Sequence, residues 1–222
     1  MTSLQNSCLA IMAAHDGDRR TAFAQWLTAL PSQPDLHSRF VNTLSMLEHI
    51  GSVKIARTQA GTAITEEILQ HLAEETRHAQ ILKRIARRIG GDAVADYADG
   101  RILAGPAARG YFARIDAGVR AFTRERFPVA VRPAAAYLLV TLLVELRASW
   151  LYPVYQCVLE GAGAGFSVRS IIGEEERHLA DIIEGMEAIG ITERHGVGEL
   201  VEHESGLFAR LAGRMMEGEV QG

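Results

Sequence analysis

Apolar residues along this chain recur at the 3.6-residue period of an α-helix, and four stretches carry the pattern most clearly. In the first, Val41, Leu44, Glu48, Ser52 and Ile55 fall on one helical face. The second runs Ile64, Ile68, Glu75, His78, Leu82, Ile85 and Ile89, and the third Leu138, Thr141, Leu142, Glu145, Ser149 and Tyr152. The fourth runs Val168, Ile171, Ile172, Glu175, His178, Leu179, Ile182, Met186 and Ile189. No convincing strand alternation is present. The breaks are readable too. Gly61 and Thr62 separate the first two stretches, Gly90 and Gly91 end the second, and Pro133 suits the first turn of the third. Gly161, Ala162, Gly163, Ala164 and Gly165 separate the last two, with Ser167 placed to cap the fourth.

These signals predict two helical hairpins. The segment joining them, from about Gly91 to Arg132, is too long for a tight turn and predicts one or two helices of its own, for example Pro106 to Arg126. Such a crossover lets the hairpins lie side by side in a four-helix bundle. Residues 1–34, with Phe23, Trp26, Leu27 and Leu30, read as peripheral helix and end, as do residues 190–222, with Leu207, Phe208, Leu211 and Met215. The expectation is an all-α protein, a single domain over residues 1–222 with its core bundle at about 36–190. A chain of 222 residues is long enough for one sizeable core.

What interrupts the stripes is informative. A carboxylate inside an apolar helix face is expensive unless it is paired or bound to a metal. Here four stripes each carry a glutamate near the middle, Glu48, Glu75, Glu145 and Glu175, and two add a histidine three residues on, His78 and His178. The i, i+3 spacing puts glutamate and histidine on one face, within reach of one ion. The motif is duplicated: Glu74-Glu75-Thr76-Arg77-His78 returns 100 residues later as Glu174-Glu175-Glu176-Arg177-His178. A single ExxH arises roughly once by chance in such a chain. The fuller EExRH has a chance rate on the order of 0.01, so its two copies carry weight.

Geometry agrees. Residues level with each other in an antiparallel hairpin lie equally far from its turn. The midpoint of Glu48 and Glu75 falls between Gly61 and Thr62, and that of Glu145 and Glu175 falls at Glu160, next to Gly161. Each lone glutamate therefore sits level with its ExxH partner. Four carboxylates and two imidazoles suit two iron or manganese ions, whereas zinc would take fewer carboxylates and more sulfur or nitrogen.

Composition narrows the field only a little. Apolar residues make up 48%, as in a globular protein, and no uninterrupted apolar run reaches the length of a membrane span. No basic region followed by an apolar core opens the chain, so a cytoplasmic protein is expected. The formal charge of −4 excludes few partners. Cys8 and Cys157 stand far apart without a CxxC pair, against a zinc ribbon, a rubredoxin-type centre or a disulfide framework; both read as reduced thiols.

The pattern Glu48…Glu75-x-x-His78…Glu145…Glu175-x-x-His178 resembles that of the ferritin-like di-iron carboxylate superfamily, and the doubled EExRH is similar to the (D/E)ExRH signature of its oxidases and hydroxylases. The likeness covers about residues 36–190. It implies carboxylate ligation by Glu48 and Glu145, bridging by Glu75 and Glu175, and terminal ligation by His78 and His178. The cofactor would be two Fe ions, with Mn or a mixed Mn/Fe pair as alternatives. Many relatives carry aspartate before the bridging glutamate, where this chain has Glu74 and Glu174. Arg77 and Arg177 would fit as outer partners that balance charge.

The resemblance also implies oxygen-dependent chemistry, in three forms: oxidation or hydroxylation of an organic substrate, ferroxidase activity with iron storage, or peroxide reduction. The long crossover, the flanking helices and the absence of a rubredoxin-like domain favour the first. A non-catalytic metal-binding or interaction bundle is the alternative outside enzymes. The expected partners are dioxygen, an organic substrate and a separate electron-donor protein, because the chain has neither a nucleotide-binding glycine motif nor iron–sulfur cysteines. No membrane partner is expected, and the oxidase reading predicts a monomer or small homo-oligomer. Residues 83–132 carry eleven basic side chains against five acidic ones, which reads as a solvated face or as a surface for an anionic substrate, an RNA or an acidic redox partner; a tRNA-hydroxylase-like activity would suit it.

Weaker signals complete the reading. His71, one turn before Glu75, can line the site or sit satisfied elsewhere. His49 points about 100° away from Glu48 and is not a ligand candidate. Gly51 and Ser52 can leave space near the site, Thr141, Ser149 and Tyr152 can line a pocket, and Pro153 should kink the third helix.

Overall fold

The computed structural model describes residues 2–59 and 64–218. Among them are seven α-helices: α1 (Ser3–Ala29), α2 (Pro34–Thr58), α3 (Glu66–Gly90), α4 (Gly105–Arg126), α5 (Arg132–Gly161), α6 (Arg169–Ala188) and α7 (Val197–Glu217). Local chemistry sets their ends. Thr2 and Thr65 accept hydrogen bonds from the Gln5 and Ile68 N–H groups, and Pro34, Pro106 and Pro133 occupy first turns, where no N–H is needed. Glu66 and Glu67 at the start of α3 and Arg87 and Arg88 at its end both complement the helix dipole. Gly91 then terminates α3 with φ +58°, a conformation open to glycine.

The paired helices are those expected: α2 packs along α3 and α5 along α6, with α4 in the crossover leaning on α5 and α7. The turn expected at Gly61 and Thr62 lies outside the described residues. Some boundaries differ. Val168, not Ser167, is the residue before α6; the Ser167 Oγ still accepts from the Arg169 N–H, while Gln156 Oε1 accepts from the Val168 N–H. Ile64 precedes α3 and Ile189 follows α6, and both are exposed, because a helical stripe loses its core contact where the helix stops. The helix α5 runs through Pro153 to Gly161.

The terminal helices do more than flank. α1 and α7 pack on each other and on α5, and their buried apolar residues join one connected core with the bundle. Phe23, Trp26, Phe40, Trp150 and Phe208 form an aromatic cluster with neighbouring ring centroids 5.2–6.4 Å apart. Beside it Arg147 is buried in α5. Its guanidinium donates to Asp16 of α1 at 2.6 and 3.2 Å and to Glu204 of α7 at 2.7 and 3.0 Å. Tyr111 of α4 donates to the same Glu204.

By length and composition α5 alone among the described residues is apolar enough to cross a membrane. It packs on α1, α4, α6 and α7, with Glu145 and Arg147 both turned to buried partners.

Candidate metal centre

The glutamates Glu48, Glu75, Glu145 and Glu175 project inward from the middle of α2, α3, α5 and α6, and His78 and His178 follow one turn on. The structure brings all six together. Together with His71, their donor atoms fall into two sets, each with every donor within 4.8 Å of the others: Glu48, Glu75, His78 and Glu175 in one, His71, Glu75, Glu145 and His178 in the other. Glu75 belongs to both. Its Oε1 lies 3.8 Å from His78 Nδ1 and 3.6 Å from His178 Nδ1. Glu175 spans the same gap, with Oε1 2.9 Å from His78 Nδ1 and Oε2 3.5 Å from His178 Nδ1.

His71 enters the second set at 3.3 Å from Glu145 and 3.5 Å from Glu75 through Nε2, while its Nδ1 meets the Tyr137 hydroxyl at 3.2 Å. Sequence spacing held a clue to it: position 71 is i−4 from Glu75, on the same helical face.

The outer partners cross between the repeats. His78 Nε2–H donates to Glu174 at 2.6 Å, and His178 Nε2–H donates to Glu74 at 2.7 Å. Arg77 pairs with that Glu174 and Arg177 with that Glu74, each at 2.6 Å. Each EExRH motif thus orients the histidine of the other. The extra methylene of glutamate over aspartate does not prevent the contact. With Nε2 engaged as donor, each imidazole turns its Nδ1, the atom left for a metal, to the centre.

This centre also holds an unusual concentration of unsatisfied atoms. Glu75 Oε1, Glu145 Oε2, Glu175 Oε1 and the Nδ1 atoms of His78 and His178 are buried without a hydrogen-bond partner; even the 2.9 Å approach of His78 to Glu175 is not aligned as one. Orphaned buried polar groups are rare and costly. Here they are all metal-type donors turned toward one another, which is what a pair of cations would satisfy. The donor set, rich in carboxylate with imidazole and no sulfur, fits iron or manganese better than zinc.

The electrostatics describe the same strain. Burial and the charges of Glu75 and Glu175 push the Glu48 carboxyl well up, and burial with Glu175 does the same to Glu145. Burial also acts on Glu175, but contacts with Glu145, His178 and His78 outweigh it and hold that carboxyl low. His78 is raised to about 10: burial opposes the charge, but Glu175, Glu48 and Glu75 prevail. Glu74 is held at about 2, burial being outweighed by His178, Gln70 and Arg177. Tyr152 donates to Glu48, fixing one carboxylate from α5.

A cavity of about 300 Å³ runs in to the second set and is bordered there by His71, Glu75 and Glu145. Gly51 and Thr141 line it. Ser52 and Ser149 instead bond to backbone carbonyls of their own helices, and Tyr152 is spent on Glu48. A Cβ at position 51 would stand 3.1 Å from Glu75 Oε2, so glycine there lets α2 pass close behind this carboxylate. His49 stacks on Tyr97, away from the centre.

Four of the eleven basic residues of the crossover segment are in ion pairs: Arg87 with Asp92, Arg101 with Asp96, Arg109 with Asp99 and Arg126 with Glu199. No protein-family model, curated protein or solved structure matches this chain. The fold and the two His/Glu clusters therefore define its class: an all-α bundle able to hold a pair of metal ions.

Proposed function

We propose that this chain is a non-haem di-iron protein, akin to the ferritin-like carboxylate oxidases and hydroxylases, that uses dioxygen to oxidise or hydroxylate a small organic molecule. The observation that carries the reading is the shared Glu75: two donor sets meet at it, and a cavity reaches it from outside.

Glu48, Glu75, His78 and Glu175 would hold one ion and His71, Glu75, Glu145 and His178 the other, with Glu175 within reach of both His78 and His178. When bound, a reduced iron pair supplies electrons for oxygen chemistry. The chain supplies the rest. Glu74 and Glu174 fix the ring orientation of His178 and His78, and Arg177 and Arg77 hold those glutamates in place. The apolar cavity walls exclude water from the reacting end. Electrons would come from a separate donor protein.

Anaerobic iron(II) titration of metal-free protein tests this, followed by oxygen uptake on mixing with air-saturated buffer. Two irons per chain and rapid oxygen consumption are expected, with Glu175→Ala losing both. Two irons without oxygen uptake would reject the oxidase activity. A hollow multi-subunit shell by native mass would favour iron storage instead.

A further inference from the structure

The cavity that ends at Glu75 and Glu145 changes character along its length. Its walls are apolar, built from Ile55, Phe112, Val119, Ala136, Val140 and Val144. Its outer end carries Lys54, Asp116 and Arg120. Lys54 and Asp116 form an ion pair and cancel each other, each about three-quarters buried as a side chain. Arg120 is exposed and has no ion-pair partner among the described residues, so one positive charge at the mouth is left over.

A second feature points the same way. Pro133 and Ala136 in the wall belong to the first turns of α5, a 30-residue helix whose N-terminus has no side-chain cap and no acidic residue in its first turn. The Arg132 and Ala135 N–H groups there bond to the Pro128 and Val131 carbonyls and Pro133 has none, so the helix end adds the positive end of its dipole to the mouth but no set of free donors. The inner end is opposite in character, with two buried carboxylates. A cationic head group would be repelled by Arg120 at the mouth, whereas an anionic one finds Arg120 there with the positive end of the α5 dipole beside it.

Resting on the oxidase reading above, we infer that the substrate is a compact amphiphile with one anionic head group and an apolar body. The head stays at Arg120 and the start of α5, and the apolar tail lies along Val140 and Val144 toward Glu75 and Glu145. The carbon presented to the metal centre is then remote from the head group. At about 300 Å³ the cavity stands at the small end of ligand pockets, which fits a medium-length chain and not a nucleotide or a polymer segment. Crossover helix α4 thereby acquires a role: Phe112, Asp116, Val119 and Arg120 share one of its faces and form one side of the cavity.

Calorimetric titration with octanoate, octyl phosphate, octanol and octylamine, on metal-free and manganese-loaded protein, tests this without turnover. The two anions should bind at least about tenfold more tightly than octylamine, and the ratio between them identifies the head group. Arg120→Gln, at an exposed position, should weaken the anions about tenfold and leave octanol unchanged. Ala136→Phe, which fills the cavity, should remove binding of all four while two irons per chain are retained. Equal binding of octanoate and octylamine, or anion binding untouched by Arg120→Gln, would overturn the inference and leave the di-iron reading standing. Anion binding in a chain that takes up no iron would reject the di-iron reading and keep the anionic-amphiphile site.

Discussion

Single side chains decide how tightly this centre is drawn together. Gly51 is the sharpest case: it sits on α2, one turn beyond Glu48 and against Glu75 Oε2. Alanine there is a better helix former by about 1 kcal/mol. Its methyl group would nevertheless force a shift of a few tenths of an ångström in a carboxylate common to both donor sets. Gly51→Ala is therefore expected to keep or raise Tm while weakening iron(II) binding by about tenfold, the range seen when groups behind metal ligands are disturbed. Calorimetric unfolding and iron titration on the same preparation would check both signs. The glutamates 74 and 174 illustrate the converse, since both reach the histidine of the opposite repeat and each also engages an arginine.

At the scale of elements, the bundle is held in register by buried polar ties between helices. Arg147 links α5 to α1 and α7, and its removal would leave Asp16 and Glu204 buried with reduced compensation. Breaking such a pair costs about 3–5 kcal/mol. Arg147→Ala should lower the denaturant midpoint accordingly, with loosening concentrated in α1 and α7 by hydrogen exchange. A second tie joins α2 to α5: His37 Nε2 meets the Tyr155 hydroxyl at 2.6 Å, and burial pushes the imidazole down from 6.5 to about 4. The folded state keeps His37 neutral while the unfolded chain takes up a proton below about 6.5. Its contribution is thus complete above 6.5 and is lost as pH falls toward 4, by up to about 3 kcal/mol. The difference in stability between wild type and His37→Asn should shrink over that window; a difference independent of pH would contradict the assignment.

For the whole molecule, the candidate metal centre is a cost to the metal-free fold. Four glutamates are drawn into the middle of one core, and Glu48 and Glu145 are pushed toward their protonated forms there. Cation binding must then release protons and stabilise the folded chain. Protein stripped of metal should melt at lower temperature, and iron(II) or manganese(II) at about a thousand times Kd should restore about 4 kcal/mol. Proton release on binding, read with a pH indicator in weak buffer, would accompany it. No change in Tm on loading would argue against a built site.

The helices, the hairpins, the crossover and the convergence of Glu48, Glu75, His78, Glu145, Glu175 and His178 were legible in the chain itself. The reason is local: period 3.6 marks a buried face, glycine and proline mark its ends, and glutamates inside apolar stripes at matched distances from two turns have few explanations other than a shared ligand. Tertiary structure decided what depends on how helices distant in sequence lie against each other. His71 joins the second donor set only because α5 and α6 bring Glu145 and His178 beside it. The exchange of outer partners between the two EExRH motifs, the Arg147 tie and the position of the cavity are of the same kind. Periodicity reports which face of a helix is buried, and the packing of one hairpin against the other determines what that face meets.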